Sequence, residues 1–201
     1  SADEFKNFSS DPGDIAFYTN GLRANNFSDG LWDEPYKYIN ITNSIMEGLN
    51  GSASVTPATK SELIGEAKFI RAFCLFYLTN LFGDVPIITS TNYSVNASFS
   101  RQPANQVNKQ IINDLVEAEE LLSPDFSYSN GERDQPNRFA AAALLARTYL
   151  YTAKWDSAEI EATKIINESG TYGLVADPDS VFLANSREAI WQLRPTGSTI
   201  N

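Results

Sequence analysis

Residues 65–89, GEAKFIRAFCLFYLTNLFGDVPIIT, constrain this chain more than any other stretch. Leu63, Ala67, Ile70, Cys74, Tyr77 and Leu81 recur at steps of four and three, which is the period of one helical stripe. Phe69, Phe73, Phe76 and Leu78 then fill the remaining faces of the last turns. A helix that is apolar nearly all the way round must be wrapped by neighbours, because each large side chain left in water forfeits about 1.5–3 kcal/mol. Lys68 and Arg71 leave only about a dozen clean apolar residues where a membrane span takes about 20. The segment therefore reads as a central packing helix. Gly83 supplies a residue that tolerates positive φ at its end, and Pro86 blocks resumption.

Charge and residue inventory exclude several function classes. Against 15 basic residues stand 25 acidic ones, a net charge of −10 that argues against a nucleic-acid partner. With no histidine, the chain cannot build Ser-His-Asp or Cys-His catalysis or a His-ligated metal site from its own residues. Cys74, the single cysteine, lies inside the apolar helix and reads as a small core residue, so no internal disulfide is possible. The carboxylate pairs Glu62/Glu66, Asp114/Glu117 and Glu119/Glu120 fall on predicted polar helix faces and read as solvated, not as an acid/base pair across a cleft. Glu66 and Arg71 lie within the apolar element and are expected to serve structure, with Asp84 a candidate partner for Arg71. No catalytic residue, metal ligand or cofactor is assigned, and the chain reads as a non-enzyme.

The remaining pattern predicts a mainly α fold. A short helix is expected near Ile15–Leu22, a long one from Trp32 to Asn50-Gly51, the apolar helix from about Pro57 to Phe82, and another from Pro103 to Leu122. Asn137 is an N-cap candidate for RFAAAALLARTYLYT, and WDSAEIEATKIINES follows after a turn. VPIITS, VFL and AIWQL are short extended candidates. Within 138–169, Leu145, Ala146, Tyr149 and Ala158 match the spacing of a tetratricopeptide-like helix pair, while Ala142 and Ala162 are smaller than that repeat usually carries. Antiparallel helix pairs at about 31–82, 103–152 and 138–169 are expected to stack in series as one scaffold region over residues 1–201.

Aromatics in irregular segments are the candidates for recognition. Most of the 12 Phe, 9 Tyr and 3 Trp are expected in the core, but a binder of flat, weakly charged ligands shows the same surplus. Sugar rings stack their C–H faces on aromatic rings while their hydroxyls bond to amides and carboxylates. Asn25, Asn26, Phe27, Asp29 and Trp32 offer such a mixture, and Tyr93 offers a second platform. Phe99 and Tyr128 lie in similar loops. Asn-x-Ser/Thr triplets, among them those at Asn7, Asn26, Asn40, Asn92, Asn96 and Asn167, read as polar loop composition.

The stretch 65–89 resembles the signature helix and turn of the SusD/RagB family, surface glycan-binding lipoproteins of Bacteroidetes. The resemblance continues in order through LWDEPYKYINITNSIMEGL, RQPANQVNKQIINDLVEAEELL, PNRFAAAALLARTYLYTAKWDSAEIEATKII and SREAIWQL. It implies a helical scaffold of tetratricopeptide-like pairs, oligosaccharide or polysaccharide as ligand, and a SusC-like TonB-dependent transporter as partner. It also implies residence at the outer membrane through a lipid anchor outside this chain. The family's lipidated cysteine, its N-terminal helix and its larger C-terminal half are expected to lie beyond these 201 residues. A tetratricopeptide-like scaffold that binds a partner protein in place of a sugar is the alternative.

Overall fold

The computed structural model describes residues 6–21 and 30–194. Among the described residues eight α-helices follow one another: α1 (Pro12–Tyr18), α2 (Gly30–Gly51), α3 (Pro57–Phe82), α4 (Tyr93–Asn96), α5 (Ala104–Leu121), α6 (Arg138–Tyr151), α7 (Trp155–Asn167) and α8 (Pro178–Val181). Among the described residues there is no strand, and Val85 and Gln102 form an isolated antiparallel bridge. The expected runs at 181–183 and 189–193 are instead the end of α8 and irregular turns. Their polar groups go elsewhere: the Gln192 amide donates to the Arg133 carbonyl at 2.8 Å and the Trp191 indole to Asp134 O at 3.0 Å. No helix of the described residues is long and apolar enough to cross a membrane.

The start and stop signals of the long helices act as capping chemistry predicts. Thr56 accepts from the Thr59 amide with Pro57 in the first turn of α3, and Gly83 ends that helix at φ 72°. Asn137 caps α6 through the Ala140 amide at 3.0 Å. Pro103 sits just before α5, whose Ala104 amide is taken at 2.9 Å by the Asp84 carboxylate. Asp84 thus serves the N-terminus of α5 and is not the partner of Arg71.

Each long helix packs on the next one, α2 on α3, α3 on α5, α5 on α6 and α6 on α7. α3 is therefore held between α2 and α5, as its all-round apolarity demands, and Phe69, Ala72, Leu75 and Leu78 are sealed from water. The stripe is buried only in part, at Ala67 and Cys74. Leu63, Tyr77 and Leu81 are exposed, and the buried arc runs instead through Phe69, Ala72, Leu75, Phe76 and Thr79. A helix apolar on all sides gives no sequence clue to which side its neighbours take. α3 and α5 approach closely at Gly65, where an added Cβ would stand 2.8 Å from Leu122 Cγ.

Two of the carboxylates expected on solvated faces are buried. Asp114 accepts from Arg71 Nε at 2.8 Å and Nη2 at 2.5 Å, and Arg71 Nη1 donates to Asn43 Oδ1 at 2.9 Å. Arg71 is thus structural, but its partners come from α5 and α2. Lys68 joins the rim of the pair, 3.7 Å from Asp114 and 3.1 Å from Glu117. Glu62 is buried where α5 ends, accepting from the Ser123 amide at 2.9 Å. Burial also pushes the Glu66 carboxyl up to about 7, with the charge of Glu62 adding to the effect. Farther along, the Arg133 guanidinium lies over the rings of Phe126 and Tyr172 and donates to Ala189 O and Thr171 O, which pins the C-terminal segment to the loop before α6.

Candidate functional site

The loop that leaves α3 at Gly83 runs along α2 before α5 begins. Three side chains of α2 bond to it in order. Tyr36 donates its hydroxyl to Pro86 O at 2.9 Å, and Asn43 Nδ2 donates to Ile88 O at 3.1 Å. Glu47 accepts from Thr91, from its amide at 2.9 Å and its hydroxyl at 2.5 Å. Steps of seven and four residues keep all three on one helical face. Burial raises the Tyr36 hydroxyl pKa, and the two Thr91 bonds hold the Glu47 carboxyl below the usual carboxylate range.

Past Thr91 the loop folds on itself. Asn92 accepts from the Val95 amide and caps the single turn of α4, and Asn96 Nδ2 donates back to Ser90 O at 2.7 Å. Tyr93, the first residue of that turn, is 83% exposed, and Val95 and Phe99 are exposed beside it in sequence. An anchored backbone therefore presents an aromatic ring to solvent among Ser, Thr and Asn side chains.

Trp32 is placed differently. Its ring meets Phe82 edge-on at 5.0 Å and Tyr36 at 5.2 Å, and the Arg101 guanidinium covers it at 4.8 Å. It braces the loop's end, since Arg101 also donates to Asp84 O at 3.1 Å. Trp32 and the Glu47–Thr91 bond lie at opposite ends of this face of α2, about 22 Å apart at about 1.5 Å rise per residue. The fold does not join Trp32 and Tyr93 into one platform. Asn25, Asn26, Phe27 and Asp29 lie outside the described residues.

A cleft elsewhere in the fold had no counterpart in the sequence pattern. A cleft of about 350 Å³ opens between α3, α6 and the C-terminal segment, lined by Phe69, Phe73, Ala143, Arg147, Glu188 and Trp191 among others. The Trp191 ring meets Phe69 and Phe73 edge-on at 5.0 and 5.3 Å. These partners are more than a hundred residues apart in the chain, so no local pattern could announce them. The α2 row was within reach of the sequence: Tyr36, Asn43 and Glu47 already stood at helical spacing.

A sequence profile of a SusD-like family, described as starch-binding and associating with the outer membrane, matches residues 11–150. The chain belongs to the SusD-like family. SusD-like protein P2 of Formosa agariphila is 33% identical over 181 residues, covering 83% of this chain and 35% of that relative. The chain spans about a third of the length of the curated relatives it matches. A SusD superfamily protein from Bacteroides thetaiotaomicron superposes with a TM-score of 0.70 at 28% identity, over 80% of this chain and 37% of that structure. A laminarin-binding SusD-like protein superposes with a TM-score of 0.78 over 86% of this chain and 38% of its own, and at 23% identity that likeness concerns the fold. The SusD-like helical scaffold thus accounts for the serial packing of α2, α3, α5, α6 and α7.

Proposed function

We propose that this chain is the helical scaffold of a non-catalytic, SusD-type glycan-binding protein. It captures oligosaccharides at the cell surface and passes them to a TonB-dependent outer-membrane transporter. The observation that carries the binding role is Tyr93, an exposed ring on a loop tied to α2 at Pro86, Ile88 and Thr91. Such a ring offers an apolar face to a sugar, and the amides and hydroxyls around it suit sugar hydroxyls. Asn25, Asn26, Phe27 and Asp29, which precede the first turn of α2 in sequence, are proposed to add polar and aromatic contacts, together with Trp32 of that turn. Transporter hand-off and anchoring at the outer membrane by a lipid outside this chain complete the reading, and both rest on family membership.

Affinity electrophoresis of the full-length protein in gels containing laminarin, starch or xylan tests it. Retardation by at least one polysaccharide is expected, lost in Tyr93→Ala without a change in melting temperature. The same protein should release no reducing sugar from any of them. Absence of retardation on every polysaccharide, with retained binding to the transporter, would favour the protein-interaction alternative.

A further inference from the structure

We propose that Asn43 and Glu47 are positioning residues for the Tyr93 loop, with Arg71 holding Asn43 from behind. The proposal deepens the glycan reading and rests on it for the role of Tyr93. Asn43 is buried on α2, and its amide has two different partners. A guanidinium only donates and a backbone carbonyl only accepts, so Arg71 fixes Oδ1 on its own side and leaves Nδ2 aimed at Ile88 O. Arg71 in turn has a single placement, because two of its nitrogens are engaged by Asp114 of α5. A continuous line of directed bonds therefore runs from α5 through α3 and α2 to the loop backbone. It acts on the loop and not only on the core, because its last member is a carbonyl of that loop.

Glu47 closes the same row at the surface. Its two oxygens take the amide and hydroxyl of Thr91, two residues before Tyr93. The Asn96–Ser90 bond secures the other side of the turn. Between these ties the Tyr93 ring stands on backbone whose path is set before any ligand arrives. A platform ordered in advance avoids the ordering cost of binding, so loosening it weakens affinity without altering the contacts made.

Two variants separate this role from a general one in stability. Asn43→Asp keeps the size and the acceptor for Arg71 but replaces the donor to Ile88 O with an acceptor. Glu47→Ala removes the outer tie at an exposed position and cannot disturb the core. Amide hydrogen exchange on the full-length protein reads the loop without needing a ligand. Exchange over residues 85–99 should accelerate about tenfold in both variants while that of residues 69–78 in α3 stays as in wild type. Affinity for whichever of laminarin, starch or xylan the wild type retains should fall about fivefold or more. Unchanged loop exchange in both variants overturns the proposal, as does faster exchange with affinity within about twofold of wild type. If Asn43→Asp fails to fold, Glu47→Ala decides alone. If the wild type retains none of the polysaccharides, or Tyr93→Ala binds as well as wild type, the glycan reading fails, and exchange still decides whether the loop is held as described.

Discussion

Asp114 is 1% exposed and takes two bonds from a guanidinium that is itself buried, so its removal leaves Arg71 charged and uncompensated. Asp114→Ala should cost about 3–5 kcal/mol in urea unfolding, the range for breaking one side of a buried pair. Glu66 makes the opposite case. Its folded pKa of about 7 lies above the usual value of 4.5, so burial disfavours its charged form. Stability from this group is fully present below pH 4.5 and is lost as pH rises through 7. Melting temperature should therefore fall between pH 5 and pH 8 by more in the wild type than in Glu66→Gln. Equal slopes for the two would refute the assignment. At Glu47 the sign reverses: its pKa is lowered by Thr91, so this tie is present above the ordinary carboxylate range and opens as pH falls through the depressed value.

At the scale of elements, glycines report where helices touch. Gly65 in α3 faces Leu122, and a Cβ there would meet Leu122 Cγ at 2.8 Å, while Gly48 in α2 has nothing within 4 Å. Alanine improves helix propensity at both by about 0.5–1 kcal/mol. Gly48→Ala should therefore stabilise by about that amount. Gly65→Ala should destabilise by about 1–3 kcal/mol, because overpacking at the α3–α5 contact outweighs propensity. Chemical denaturation of the pair checks both signs at once. α3 was legible as a wrapped helix from its apolar faces alone, with its ends marked by Pro57 and Gly83. Its rotation was not, since Tyr77 and Phe76 are adjacent aromatics of similar apolar character and only the position of α2 and α5 decided which one was buried.

At the scale of the whole molecule, each long helix packs on the one before it, and among the described residues the faces turned away from that series stay uncovered. Leu150, Tyr151, Trp155, Ile160 and Ile166 of α6 and α7 are all at least half exposed. Leu63, Tyr77 and Leu81 add apolar area on α3. Apolar surface on this scale drives association when nothing covers it. The 201-residue chain expressed alone should sediment as concentration-dependent oligomers. A monodisperse monomer across the accessible concentration range would show that these side chains do not form one adhesive face.

Sequence by itself determined the five long helices and the caps at Gly83 and Asn137, because periodicity and capping are local properties. It also marked Tyr93 as a loop aromatic, since Asn, Ser and Thr around it cannot bury their polar groups in a core. Tertiary structure decided what each polar group does within that frame. Asp114 and Glu117 lie on the same helix three residues apart, yet one is sealed against Arg71 and the other stands at the rim beside Lys68. Trp32 and Tyr93 were equally plausible platforms, and only packing separates a ring clamped between Phe82 and Arg101 from one that faces solvent. Burial and pairing depend on residues distant in the chain, and that distance is what a local pattern does not carry.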